Sequence, residues 1–276
     1  MRTRSLWLVA GLCLALTGCA TEPSDVVSET TSKLEELRSG HVDLSVTAST
    51  PDAGGEQAEA GFELTGSFQL PEEGALPVAE IEYTDLSSED PVTQGFVSTG
   101  DAAFILVDGT AYEIPPDQAD ILRGGSEGEG LFEQLQVAEW IREPVLSEDE
   151  EHSGEKVDRV TGELDVAQVM SDLVLTAQRF GRSDLSPIDE AEAERLDNAV
   201  RSSRIELLTG AEDRLLRSLS ISIEFALDES LDLDEVLGPL AGAVFELDLT
   251  ITDPNEPVEV EAPSDPLPLE ELGSTP

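Results

Sequence analysis

The amino-acid sequence predicts an α+β fold built on one large curved antiparallel sheet. Three observations carry this. Apolar residues recur at period two in several separate segments, short turn-like stretches join those segments, and helical periodicity is confined to the start of the chain and to its middle, between two runs of strands. A sheet of this kind, curling round its helices, can enclose a cavity.

The first element is a targeting segment. Arg2 and Arg4 give a positive start, Leu6 to Ala15 is uncharged and apolar, and the stretch closes on small residues, which is the pattern of a secretory signal. Leu16-Thr17-Gly18-Cys19 resembles the bacterial lipobox, in which cleavage before the cysteine exposes its thiol for lipid attachment. Residues 1–18 are therefore read as a lipoprotein signal peptide and Cys19 as the acylated residue, with residues 19–24 as a tether. An ordinary secretory signal that contains Cys13 and Cys19 is the alternative. A spanning helix is disfavoured, because about 13 apolar residues fall short of the roughly 20 that a bilayer requires. After cleavage one cysteine remains, the modified one, so the domain must be held by its core without disulfides.

Fifteen Lys and Arg stand against 60 Asp and Glu, a formal net charge of −45. Nucleic acid is excluded as a partner, since a phosphate backbone is bound by Lys and Arg, which acids outnumber four to one here. Anionic headgroups would repel the body, which the tether would hold away from the membrane surface. Solubility is the simplest account of the acidity.

A leading amphipathic helix is expected from Val27, Thr30, Leu34 and Leu37, with Ser24 as its cap and Gly40 as its stop. The period then changes to two: Val42, Leu44 and Val46; Phe62, Leu64, Phe68 and Leu70 around Gly66; Ile81 and Tyr83. "DAAFILVDGTAYEI" predicts a hairpin, because Asp108-Gly109 suits the positive φ of a two-residue turn. "PPDQADILRGGSEGEG" and "SEDEEHSGE" (147–155) read as loops. Between them a short helix is expected with Leu131, Leu135, Ala138 and Ile141 on one face and Trp140 beside it. "KVDRVTGELD" returns to strand and passes at Asp165 into a helix lined by Val166, Val169, Leu173, Ala177 and Phe180. Ser186-Pro187-Ile188-Asp189 reads as a capping box opening a second helix to about Val200.

The last third is strand again. "SRIELL" and "RLLRSLSISIEFAL" flank the turn "TGAEDR", with Leu219, Ile221, Ile223, Phe225 and Leu227 alternating. "LDLDEVLGPLAG" reads as a loop or short helix, and Phe245, Leu247, Leu249 and Ile251 share one side of a further strand. The folded domain is placed at 25–255. Residues 256–276, rich in Pro and acid, are expected to be unstructured beyond an edge strand at Val258 to Ala262.

Taken together, the lipobox, "LRSGHVDLSV", "GFELTGSFQL", "VSTGDAAFILVDGTAYEI" and "DRVTGELDVAQVMSDL" resemble the actinobacterial lipoproteins LppX, LprA, LprF and LprG, which share the architecture of the LolA and LolB carriers. The resemblance covers most of residues 24–255. It implies a half-barrel of antiparallel strands covering helices, with an apolar cavity that shields the acyl chains of a lipid or lipoglycan in transit across the envelope. It implies further that the protein sits on the extracytoplasmic face of the cell membrane, with a membrane transporter as a candidate partner. Acyl chains lose about 0.8 kcal/mol per CH₂ on leaving an apolar environment, so such a carrier needs a dry pocket and no reactive group. The candidate cavity residues are Val46, Phe62, Leu64, Ile81, Ala103, Phe104, Leu106, Leu173, Ile221, Ile223, Phe225, Leu247 and Leu249. Ordinary core packing is the competing account of each.

Catalytic parts are scarce. His41 and His152 are the only histidines, and neither a G-x-S-x-G elbow, a phosphate-cradling Gly loop, His/Cys spacing for zinc nor a calcium-loop pattern occurs. No enzyme activity, cofactor or metal is expected. Three functions remain: a lipid carrier, a surface-anchored interaction protein with a filled core, and a hydrolase whose site the sequence does not reveal. Anchoring is open to direct test. Cys19→Ala should abolish incorporation of a fatty-acid analogue and either release the protein or leave it as uncleaved precursor; label persisting in the variant would move the acylation site elsewhere.

Overall fold

A computed structural model describes residues 21–51, 57–70, 75–88, 90–119, 137–179, 187–226 and 244–272. The leading helix, Pro23–Ser32, runs into a 3₁₀ turn, Lys33–Glu36. Six strands follow: β1 Ser39–Pro51, β2 Gln57–Gln69, β3 Val78–Asp85, β4 Val92–Thr99, β5 Ala103–Val107 and β6 Thr110–Glu113. A helical turn, Val137–Trp140, leads to β7 Ile141–His152 and β8 Glu155–Leu164. The helices Val166–Arg179 and Glu190–Ala199 precede β9 Val200–Gly210, β10 Leu216–Phe225 and β11 Val244–Thr252, and β12 Leu267–Pro268 comes last.

These strands form one open, curved sheet in the order β12-β6-β5-β4-β3-β2-β1-β11-β10-β9-β8-β7. Two antiparallel meanders, β1 to β6 and β7 to β11, meet where β1 pairs with β11, with Val42 opposite Ile251 and Val46 opposite Leu247. The expected α+β class and single curved antiparallel sheet are what the chain adopts, with one parallel pair, β12 on β6, added at an edge.

Period-two alternation sends one set of side chains from each strand to the face that carries the helices. Ile205, Leu207, Leu219, Ile221, Ile223, Phe225, Phe245, Leu249 and Ile251 pack there against Val26 and Val27 of the leading helix and Val166, Val169 and Met170 of the long helix. Burial of such side chains contributes roughly 1.5–3 kcal/mol each, so this layer dominates the favourable energy of folding. Trp140 is 2% exposed and donates from Nε1 to Asp172 Oδ2 at 2.7 Å, which ties the helical turn to the long helix.

Several local expectations are corrected. Pro23 occupies the first turn, Glu22 is the N-cap and Ser24 lies inside the helix, because proline's fixed φ and missing N–H suit that position. The helix ends in the 3₁₀ turn, and Gly40 belongs to β1. The second capping box forms at Asp189: Glu192 N donates to Asp189 Oδ1 and Asp189 N to Glu192 Oε2, both at 2.9 Å. In the turn before β7 the buried residues are Val137 and Trp140, while Ala138 is exposed and Ile141 is already strand. Leu131, Leu135, Phe180, Ser186, Leu227 and the segment 227–243 lie outside the described residues, as do the side chains of Leu173 and Ala177. β4 had no period-two signal, for its first residues Val92 to Gln94 are all exposed.

The acidic stretch 147–155 is a hairpin. β7 and β8 pair from Ile141–Leu164 to His152–Glu155 across a turn in which Ser153 and Gly154 have φ of 51° and 87°. β7 is the other edge of the sheet, and it carries Pro144 and two register shifts, between Arg142 and Val145 and between Ser147 and Glu150. Charge on an edge strand faces solvent on both sides, which hides the alternation on which strand recognition depends.

The tail also departs from expectation. Asn255 N donates to the Ser39 carbonyl at 2.8 Å, Ser39 Oγ to the Glu256 carbonyl at 2.6 Å, and Arg38 N to Asn255 Oδ1 at 2.7 Å. Val258 N donates to Gln69 Oε1 at 3.2 Å. Val258 to Ala262 forms no strand; the edge strand is Leu267–Pro268, opposite Tyr112 and Glu113 of β6.

A polar node fastens the leading helix to the sheet. Lys33 Nζ donates to the Asp213 carbonyl at 2.8 Å, and the Thr30 hydroxyl lies 3.0 Å from that of Thr209. Arg214 pairs with the buried Asp158, whose other oxygen accepts from Asp149 N at 2.9 Å. Arg217 donates to Asp213 Oδ2 at 2.9 Å and to Glu155 Oε2 at 2.8 Å. Burial alone would raise the Asp213 carboxyl, yet the Arg217 hydrogen bond and the Leu215 N–H bring it below the ordinary value. A lowered folded pKa adds stability above the unfolded value near 3.9 and loses it as pH falls through the folded one. Asp213→Asn should therefore be less stable than the parent at pH 7, with the difference narrowing below about pH 4 in urea titrations across pH.

Candidate functional site

The register fixes which residues share the helix-bearing face. Across the middle of the sheet Leu44 lies opposite both Leu64 and Leu249, and Val46 opposite Phe62 and Leu247. Leu64 faces Tyr83, Tyr83 faces Gln94, and Gln94 faces Val107. One row along, Gly66, Ile81, Phe96, Ile105 and Tyr112 follow one another from β2 to β6.

This face has two halves of different character. On β1 and on β11, β10, β9 and β8, under the helices, most of its apolar residues are buried, Val46 at 6% exposed and Ile221, Ile223 and Phe225 at 2%, 0% and 1%, with Val42, Leu44 and Leu247 half-buried against them. From β2 to β5, here called the wing, Leu64, Ile81, Ile105 and Val107 are half-buried. Tyr83 is 39% exposed, and its ring stacks on Phe62 at 5.7 Å between centroids. Val92, opposite Asp85 at the hairpin end of the same face, is 50% exposed. The wing is thus an apolar floor with its own small anchor at one end, where Leu76, Ala103 and Ala119 pack with Phe96 and Ile114.

The thirteen residues singled out from the sequence fall into distinct groups. Val46, Ile221, Ile223, Phe225 and Leu249 are core, with Leu247 and Phe62 packed against it. Ala103 belongs to the small anchor. Leu64 and Ile81 lie on the open floor, and the Leu173 side chain is outside the described residues. Phe104 and Leu106 are corrected. Phe104 pairs with Val97 and Glu113, and Leu106 with Gly95 and Ala111, all one step out of phase with Ile105, so both point to the face away from the helices. The floor residues missed from the sequence are Tyr83, Phe96, Ile105 and Val107. Counting outward from the Asp108-Gly109 turn would have placed Ile105 and Val107 on the side shared with Tyr112.

Gly66 shapes the floor. A Cβ there would stand 2.0 Å from the Glu80 carbonyl oxygen, and its φ is +150°. Only glycine lets β2 and β3 approach at that point.

Charge divides the same way. None of the fifteen Lys and Arg falls between residues 39 and 122, so the wing is purely acidic, while Arg142, Lys156, Arg159, Arg201, Arg204, Arg214 and Arg217 lie on β7 to β10 or their connecting turn. Arg159 illustrates the basic half: hydrogen bonds to Glu150 and Glu206 hold its guanidinium above the ordinary value.

One arrangement bears on hydrolysis. His41 Nδ1 lies 3.2 Å from Ser67 Oγ, and His41 Nε2 lies 3.6 Å from Asp43 Oδ2. All three point from β1 and β2 to the face away from the helices, in mid-sheet, where His41 and Asp43 are 40% and 55% exposed and the strands' N–H groups serve the ladder. Acyl transfer needs N–H donors aimed at a developing oxyanion in a site that excludes water, and a flat exposed sheet surface supplies neither. Among the described residues no group of three or more His, Cys, Asp and Glu is placed to hold a metal ion.

No protein-family model matches the chain, and no curated protein matches it. Among solved structures, the chain is similar to LprF from Mycobacterium bovis at 13% identity, over 87% of this chain and 96% of that one, with a TM-score of 0.43. It is similar to the Mycobacterium tuberculosis lipoprotein LppX at 14% identity, over 87% and 98%, with a TM-score of 0.39. A LolA superfamily protein from Nitrosomonas europaea matches at 10% identity, over 87% and 96%, with a TM-score of 0.21. Two of the four lipoproteins named from sequence motifs, LprF and LppX, are thus among the structural neighbours. At these identities and TM-scores the likeness says nothing of cargo.

Gly66→Ala tests the floor's construction. Clash and backbone strain together should lower stability by at least ~2 kcal/mol in chemical denaturation, whereas Gly109→Ala, where a Cβ meets nothing within 4 Å, should lose less.

Proposed function

We propose that this chain is a cell-envelope lipoprotein, anchored through Cys19 on the extracytoplasmic face of the membrane, that carries or chaperones an acylated lipid or lipoglycan against the wing of its sheet. The observation that carries the reading is the contrast within one face: mostly buried under the helices, and apolar yet only half-buried over Leu64, Ile81, Ile105 and Val107, with Tyr83 exposed among them. Contiguous apolar surface left partly exposed by its own fold marks a binding surface more often than a packing accident. Acyl chains fit its chemistry, since the floor offers CH₂ contacts and aromatic edges and no base for an anionic group. The wing's acidity turns away anionic headgroups, so the headgroup would remain toward solvent at the Tyr83 and Val92 end. A membrane transporter is a partner consistent with such a carrier. The reading requires no catalytic residue and no cofactor.

The wall substitutions follow from the two halves. Leu64→Trp and Ile81→Trp should reduce the lipid recovered in organic extracts of the purified protein, with the melting temperature held within a few degrees. Ile223→Trp, in the packed half, should cost ~1–3 kcal/mol of stability. Uniform destabilisation by all three, with no lipid extracted from the parent protein, would sink the carrier reading and favour a surface-anchored interaction protein with a filled core.

A further inference from the structure

The tail crosses the sheet in a way its composition gave no reason to expect. It leaves β11 at the centre, is fastened to the starts and ends of β1 and β2 through Arg38, Ser39 and Gln69, and reaches β6 at the far edge, where Leu267–Pro268 pairs in parallel and the 3₁₀ turn Leu269–Glu271 follows. Ser39 and Gln69 are out of phase with the helix-facing residues Val42 and Phe68, so the fastenings lie toward the outer face. On that face Val97 and Phe104 are each only 4% exposed.

Length turns this path into a constraint. From β2 to the outside of β6 there are five interstrand steps, about 24 Å at ~4.8 Å each. The nine residue steps from Val258 to Leu267 contain Pro263 and Pro266, and fully extended in the form proline favours they would reach about 28 Å at ~3.1 Å per residue; a bend at Ser264 and Asp265, the latter with a φ of 53°, shortens that reach. Such a connector has little slack.

We propose that residues 253–272 are a strap that fixes the position of the wing relative to the packed half of the sheet. Among the described residues the ladder that joins the wing's strands to the body is β1–β2, its covering anchor is small, and like charges along it repel. A strap fastened at both ends converts a hinged sheet margin into a fixed one. If acyl chains lie on the wing, which rests on the function proposed above, the strap sets the width of the space they occupy; the constraint itself is independent of cargo.

Hydrogen exchange on the full chain tests the strap without reference to lipid. Two variants cut it at different ends. A stop after Ala262 removes the β12 pairing; the triple variant Ser39→Ala, Gln69→Met and Asn255→Gly loosens the central fastenings while keeping β12, with glycine retaining the φ of 65° at position 255. Both should speed exchange about tenfold or more throughout β3 to β6 and leave β9 and β10 unchanged. If the triple variant exchanges like the parent, or if truncation affects β6 alone, the tail is a local edge cover and the strap is refuted.

Discussion

Everything in this fold depends on a register kept in phase across eleven antiparallel strands. A strand's side chains alternate between faces, so a slip of one residue anywhere would carry its apolar set to the solvent side. The ladders hold the phase from Tyr112 at one side to Val160 at the other. Where they break it, at the bulges of β7, between Leu216 and Ser218 and between Glu224 and Phe225, the irregularity falls outside the alternating apolar runs or at their ends. The helices then need only present Val26, Val27, Val166, Val169 and Met170 to a surface already sorted. The same sorting makes the wing apolar on one side, whether or not a helix is there to cover it.

How much of this was legible depended on whether the local pattern stated its environment. Leu219 to Phe225 read correctly because one face is in the core and the other in water, and Asp108-Gly109 did so because two successive positive φ angles demand that pair. β8 was read as a strand, but β7 and its turn were hidden by charge, for only Ile141 and Leu146 of that edge strand pack against the core. The tail was misjudged from composition: proline and acid argue against a core of its own, and the tail has none, but hydrogen bonds to Ser39 and Gln69 and a two-residue ladder on β6 need no apolar content. Candidate floor residues were half found. Leu64 and Ile81 were named, whereas the set around Ala103 mixed phases, because apolar residues fill both faces of β5 and periodicity is silent there.

The division into a packed half and a wing is drawn three times over, in burial, in charge and in helix coverage. The basic residues and their partners Glu29, Asp158, Glu155, Asp213 and Glu206 gather where β8, β9 and β10 meet the leading helix. The wing has no Lys or Arg of its own to form such pairs, and its order comes from ladders, Gly66, the Leu76 anchor and the tail. A surface that must accept and release a long apolar guest is served by weak local stability on a scaffold that remains rigid elsewhere.

Open sheets have two margins, and here each is finished differently: β6 by two residues of the tail, β7 by Pro144, two bulges and a run of carboxylates. A foreign strand arriving at either would find its hydrogen-bonding positions taken, kinked out of line or guarded by charge. The molecule can therefore be crowded against its own kind without its strands joining into a continuous intermolecular ribbon, and an apolar concavity can stay partly bare without seeding fibrils.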